Sequence, residues 1–338
     1  MKTMEHIFKP ISKFLCGFLL LSASTVAYSQ QDSIRILFVG NSYTHMNNMP
    51  KIFEKIALTA GQRVIVEKSA KSGASFKEHA SRADLFAAIK SKKWDYVILQ
   101  GFSRELSYSI ETIDTATVPY VRQIRDSILA NNSCAQILFY MTWGYESGYQ
   151  ELEETNTFDK MADSIARGYQ YLGRIFDCPV VPVGMIWKQV KSNTTIDLYA
   201  EDRAHPSKNG SFLIASTFYN AIFDTPLDRV FTGTVETEVA KPIREIMQQF
   251  MLDNRNSFGL DRNQFQVLNV STADKLQVSY LSNFPNASKV IWDFGDGQTT
   301  NASGGVYFYQ KPGKYEIILT VVYPCGAKNT FRKWIEIK

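Results

Sequence analysis

The chain has 338 residues with a formal net charge of +4, 45% hydrophobic and 21% charged residues. That is the composition of a globular protein with a real core, long enough for two domains. Near-neutral charge and the absence of a dense Lys/Arg run interleaved with aromatics exclude a nucleic-acid partner.

The first segment reads as a secretory signal over residues 1–29. Lys2, Lys9 and Lys13 form a basic start, Phe14–Ala27 is an apolar run, and Ala27-Tyr28-Ser29 supplies small residues for cleavage. The run is too short to span a bilayer comfortably as a helix, so no stable transmembrane segment is expected after cleavage. The expected location is exported: periplasm, cell surface or medium. Three cysteines follow the signal: Cys134, Cys178 and Cys325. Cys134 and Cys178 each precede a strand-like run, which leaves a disulfide between them geometrically open, with two ordinary buried thiols as the equal alternative. No Cys-x-x-Cys or His cluster points to a metal, and no cofactor is expected.

Strand and helix patterns then alternate. Ile34–Val39 is a β-branched apolar run ending at Gly40, and Met49–Ala60 has helical spacing that Gly61 stops. Arg63–Lys68, Tyr96–Leu99, Ile137–Thr142 and Val180–Val183 read as further strands. Asp84–Lys90, Val118–Ala130, Asp159–Tyr171 and Ser211–Phe223 read as helices. This alternation predicts an α/β fold, a parallel sheet covered by helices on both faces, over residues 32–228. A helix and linker are expected over 229–262. From residue 263 to 338 period-2 patterns and turns such as Gly295-Asp296-Gly297 and Pro312-Gly313 predict a small Ig-like β-sandwich.

Four features of the first domain converge on one chemistry. Gly40-Asn41-Ser42 follows a hydrophobic strand, and strand C-termini form the ligand crevice of a parallel sheet. Asp202-Arg203-Ala204-His205 puts a carboxylate three residues before a histidine on one loop. There it can accept the ring Nδ1–H and leave Nε2 free to take a proton from serine. Lys71-Ser72-Gly73-Ala74-Ser75 is a small-residue loop whose glycine can bring a backbone N–H close to a ligand. Leu99-Gln100-Gly101 ends the third strand, where the Gln100 amide could donate to a developing oxyanion. His45 is near Ser42 but lacks an orienting carboxylate and reads as a rim residue.

The order of Gly40-Asn41-Ser42, Gly73, Gln100-Gly101 and Asp202-x-x-His205 resembles the four blocks of the SGNH/GDSL hydrolases over roughly residues 34–223. The resemblance implies a three-layer α/β/α hydrolase domain and a serine esterase with Ser42, Asp202 and His205 as its triad. It also implies an oxyanion hole of Ser42 and Gly73 N–H groups with the Gln100 amide. Two departures stand out. Asn41 replaces the usual aspartate, and the third-block asparagine is missing. Gln100-Gly101 looks instead like the carbohydrate acetylesterase branch related to sialic acid O-acetylesterases. No Gly-x-Ser-x-Gly elbow of the α/β-hydrolase type is present.

Val290-Ile291-Trp292-Asp293-Phe294-Gly295-Asp296-Gly297 and Pro312-Gly313-Lys314-Tyr315 closely resemble a PKD domain, which implies a spacer or a module contacting polysaccharide, protein or a surface. Asp293 and Asp296 lack the ligand pattern of a calcium loop. The expected substrate is a small-molecule or glycan ester, and removal of O-acetyl or other short acyl groups from a carbohydrate is the leading reading. An acyltransferase on the same fold and a non-catalytic surface protein working through the PKD domain remain open. Tyr43, Phe102, Trp143 and Trp187 are expected in core packing, with stacking on a sugar as their other reading.

Overall fold

A computed structural model describes residues 33–338 apart from 226, 228–230, 234, 261–263, 273–274 and 285–286. The expected signal segment lies outside the described residues. The α/β part contains strands β1 (Ile34–Gly40), β2 (Val64–Ala70), β3 (Tyr96–Leu99), β4 (Gln136–Tyr140) and β5 (Val180–Val181). Its helices are α1 (Ser42–His45), α2 (Met49–Thr59), α3 (Phe76–Ala80), α4 (Ala83–Ser91), α5 (Ile110–Ala116) and α6 (Val118–Asn131). They continue as α7 (Phe158–Phe176), α8 (Val183–Asn193), α9 (Lys208–Phe223) and α10 (Thr237–Asn254).

The five strands form one sheet in the order β2-β1-β3-β4-β5, every pairing parallel. A strand covered on both faces must be apolar at every position, and β1 shows it. Ile36 and Phe38 enter one core with α2, α8, α9 and α10, while Leu37 and Val39 enter a second with α4, α6 and α7. The chain winds outward from β1 to β2 on one side and to β3 on the other. The C-terminal ends of β1 and β3 therefore flank the switch point at which open parallel sheets bind ligands.

Two expectations need correcting here. The run at Val180–Val183 is only half strand, because Val183 already starts α8. The helix expected to lead into a linker is instead part of the α/β core: Ala240, Ile243, Met247 and Met251 of α10 are buried in the cluster of α8 and α9. Past its end, buried Arg255 donates to the backbone carbonyl of Asn220 at 3.0 Å. That stripe repeats at i, i+3, i+7 and i+11, the spacing of one buried helix face.

The second part is all β: β6 (Gln264–Asn269), β7 (Gln277–Asn283), β8 (Lys289–Asp293), β9 (Thr299–Thr300), β10 (Gly304–Phe308), β11 (Gly313–Val322) and β12 (Lys328–Ile337). Two antiparallel sheets, β10-β7-β6 and β12-β11-β8-β9, enclose a core around fully buried Trp292 with Val278, Phe294 and Leu319. The cysteines pair differently from the open Cys134–Cys178 alternative. Cys134 forms a disulfide with Cys325, with Cα atoms 5.8 Å apart and 191 residues between them in sequence. It joins the turn two residues before β4 to the β11–β12 hairpin, at the end of the parallel sheet opposite the strand C-termini. Cys178 is buried, with its thiol donating to the Phe176 carbonyl at 3.3 Å. Among the described residues no helix is long and apolar enough to cross a membrane.

Candidate active site

Ser42 is the first residue of α1, two residues past the end of β1. Asn41 caps this helix: its Oδ1 accepts from Tyr43 N at 3.1 Å. Such a cap fixes where the serine side chain leaves the backbone, because it satisfies an N–H that a helix start otherwise leaves unpaired. The His205 Nε2 lies 2.8 Å from Ser42 Oγ, and its Nδ1 is hydrogen-bonded to Asp202 Oδ2. The other Asp202 oxygen accepts from the backbone N–H of Ala204 at 3.0 Å and of His205 at 2.9 Å. Burial raises the Asp202 carboxyl pKa, but these N–H donors and the imidazole outweigh it and hold the carboxyl below its ordinary value. An ionised Asp202 on Nδ1 leaves Nε2 as the acceptor facing Ser42 Oγ.

The loop carrying His205 is fixed from several sides. Trp143 Nε1 donates to Ala204 O at 3.0 Å, and Ala200 N donates to His205 O at 2.8 Å. Arg203 has a left-handed backbone, φ 58°, a strained choice for a residue with a side chain. Its guanidinium is gripped by Glu146 and by Asp197 at 2.7 Å, while Glu146 N donates to Arg203 O at 3.0 Å. Below the histidine, Tyr43, Trp143 and Trp187 stack with centroid spacings of 4.4 and 4.1 Å, and Tyr43 meets the His205 ring edge to face at 5.3 Å. All three rings are buried, so core packing is their place. Phe102 is partly exposed, with the Arg104 guanidinium over its ring.

The second-block glycine lies at a tight turn. Gly73 has φ 71°, Ala74 N donates to Lys71 O at 3.1 Å, and Lys71 N donates to Gly40 O at 3.0 Å, which ties the turn to the end of β1. Among the described residues the N–H groups of Ser42 and Gly73 donate to no acceptor. His45 Nε2 and Ser72 Oγ, 2.9 Å apart, stand at the rim beside Gly73.

Gln100 does not occupy the place expected of it. Its side chain is fully buried, and its Oε1 accepts from Asn41 N and Thr44 Oγ1, each at 2.9 Å. Its Nε2 is turned onto the carbonyl of Gly101. Both ends of the amide are thus used inside the protein, because the buried N–H of Asn41 and hydroxyl of Thr44 need an acceptor. Gln100 braces the Ser42 turn from beneath rather than donating to an oxyanion.

Asn41 carries more than its sequence position suggested. Its Nδ2 donates to Ala74 O at 3.2 Å and to Gly101 O at 3.1 Å, linking both flanking loops to the serine turn. Glu105 was not singled out from sequence. The residues that follow Gly101, Phe102-Ser103-Arg104-Glu105-Leu106-Ser107, are mostly polar and carry no signal that Glu105 is buried. A cavity of about 290 Å³ between α2 and the start of α9 is lined by Asn47, Lys51, Lys55, Lys208 and Phe231 among others, and by none of Ser42, Gly73, Asp202 or His205. Asn47 Nδ2 donates to Pro206 O at 3.0 Å, next to His205. Among the described residues no cluster of His, Cys, Asp or Glu could hold a metal ion.

Comparison with known proteins separates the two parts. Residues 268–338 match the family model of the PKD domain. A stretch of 46 residues is 44% identical to Collagenase ColA of Clostridium perfringens, covering 14% of this chain and 4% of the length of that curated relative. A DUF4886 family protein from Bacteroides uniformis shares the fold of the α/β part, at 18% identity and a TM-score of 0.56, over 65% of this chain and 95% of that one. A proposed SGNH hydrolase from Slackia heliotrinireducens is 26% identical with a TM-score of 0.46, over 56% of this chain and 98% of its own.

Proposed function

We propose that this chain is an exported serine esterase that removes a short acyl group, with O-acetyl on a carbohydrate as the leading substrate. One observation carries the reading: the unbroken hydrogen-bond chain from Ser42 Oγ through the His205 imidazole to Asp202, at the switch point of a parallel sheet. Nucleophile, base and orienting acid in that geometry are what acyl transfer requires.

In this mechanism Ser42 Oγ attacks the ester carbonyl carbon while its proton passes to His205 Nε2. The carbonyl electron pair moves onto oxygen, and the N–H groups of Ser42 and Gly73 receive that charge. Collapse breaks the bond to the alcohol, which leaves with the proton from Nε2 and an acyl group on Ser42. Water then attacks the acyl carbon as His205 takes its proton. A second collapse frees the acid and returns the proton to Ser42 Oγ. Asp202 stays ionised throughout and stabilises each imidazolium.

The PKD-like part serves as a spacer in this reading, and the basic and apolar N-terminal segment as the export signal. The test is release of p-nitrophenol from p-nitrophenyl acetate by residues 30–338, beside Ser42→Ala and His205→Ala, followed by acetate release from acetylated glycans. Activity that collapses in both folded variants supports the reading. Parent turnover no faster than that of Ser42→Ala removes it.

A further inference from the structure

Glu105 is a buried carboxylate, 8% exposed, for which the mechanism has no use. Among the described residues no cation pairs with it. An unpaired buried charge is strongly disfavoured unless hydrogen bonds replace its water. Here they come from three segments of the chain. Phe76 N lies 3.2 and 3.1 Å from its two oxygens, Phe102 N donates at 2.9 Å, and Thr117 Oγ1 donates at 3.3 Å. The fit is tight enough to require glycine at position 101, where an added Cβ would lie 2.6 Å from Glu105 Oε2.

These bonds complement those of Asn41. The peptide joining Gly101 to Phe102 is held by its carbonyl from Asn41 Nδ2 and by its N–H from Glu105. Across the crevice, Asn41 Nδ2 takes Ala74 O and Glu105 takes Phe76 N. Two rungs thus join the loop of residues 71–76 to the loop of residues 100–105, and Gly73 lies directly before the first rung. Burial pushes the Glu105 carboxyl up to about 7, a measure of how unfavourable its ionised form is in this position.

We propose that Glu105 is a positioning residue that fixes the Gly73 N–H relative to Ser42 Oγ by clasping Phe76 N and Phe102 N. The proposal rests on the esterase reading above. A donor displaced by about 1 Å costs roughly 100-fold in rate, and losing one outright costs about 100- to 1000-fold. Glu105→Ala is therefore expected to lower kcat by about 10- to 100-fold with KM changed less than about threefold. Glu105→Gln keeps one oxygen for both backbone donors and is expected to retain kcat within about fivefold of the parent.

The experiment measures kcat and KM on p-nitrophenyl acetate for both variants of the full chain, alongside amide hydrogen exchange at Phe76 and Phe102. Exchange is expected to be slow in the parent and in Glu105→Gln, and fast in Glu105→Ala. A folded Glu105→Ala protein with kcat within twofold of the parent would overturn the proposal. So would Phe76 and Phe102 amides that exchange at the rate of an open loop in the parent, a result that decides the matter even where Glu105→Ala does not fold. Loss of the esterase reading is recognised separately, by a parent that neither turns over ester nor reacts with a fluorophosphonate at Ser42.

Discussion

Two buried titratable groups near the serine loops are expected to mask each other's pH dependence. His79 of α3 is fully buried, with Arg82 Nη1 3.1 Å from its Nδ1 and no partner for Nε2 among the described residues. Burial, with Arg82 adding to it, lowers its pKa from 6.5 to about 4. A base depressed in the folded state destabilises as pH falls below its unfolded value. Between pH 7 and pH 5 this amounts to a loss of about 2 kcal/mol.

Glu105 works the other way. Burial raises its pKa from 4.5 to about 7, so its folded form prefers the proton and stability is lost as pH rises between those values. From pH 7 to pH 5 it returns about 2 kcal/mol. The groups beside them, Glu78, Asp84, Arg82 and Lys71, are common to parent and variants and drop out of the comparison. Urea unfolding at pH 5 and pH 7 is the assay. The Glu105→Gln protein should lose about 2 kcal/mol more than the parent on acidification, and His79→Leu should gain by a similar amount relative to the parent. Parallel pH dependences for parent and both variants would refute the reasoning.

Three further outcomes are expected. Peptide mapping without reductant should recover the peptides containing Cys134 and Cys325 as one linked species; a Cys134–Cys178 species would contradict the pairing. Trp143→Phe keeps the stack but deletes the bond to Ala204 O, and should cost about 1 kcal/mol in urea unfolding while lowering kcat more than it raises KM. Gln100→Leu strands two buried donors, Asn41 N and Thr44 Oγ1, and should destabilise the fold by roughly 2–4 kcal/mol, where an oxyanion donor would have affected rate alone.

The parallel sheet was legible because its strands are buried on both faces and separated by amphipathic helices, so the run Ile34–Val39 and the helix at Met49 stood out. Ser42 and His205 were picked out by a polar residue at the end of an apolar strand and a histidine spaced three residues from a carboxylate, patterns that an ordinary turn and a surface loop share when each stands alone. Their contact spans 163 residues and only the sheet order brings it about. The role of Gln100 was not legible, because a side-chain amide at a strand end suits an outward donor and an inward acceptor equally well. The orphan donors on Asn41 and Thr44 decide between them, and they exist only in three dimensions. The Cys134–Cys325 bond depends on how two separate folds meet, which no local pattern records. The helix of α10 was expected from the sequence, but its proximity to the composition change at Phe265 hid that its apolar stripe packs into the α/β core.

The central claim is that Ser42 is the nucleophile, activated by His205. Its most direct measurement is intact-mass and peptide mass spectrometry after brief exposure to p-nitrophenyl acetate or a fluorophosphonate. One added acyl or phosphonyl group on the peptide containing Ser42, absent in Ser42→Ala and slowed by at least about 100-fold in His205→Ala, is the predicted result. Modification elsewhere with Ser42 untouched, or labelling at an equal rate in His205→Ala, would contradict it.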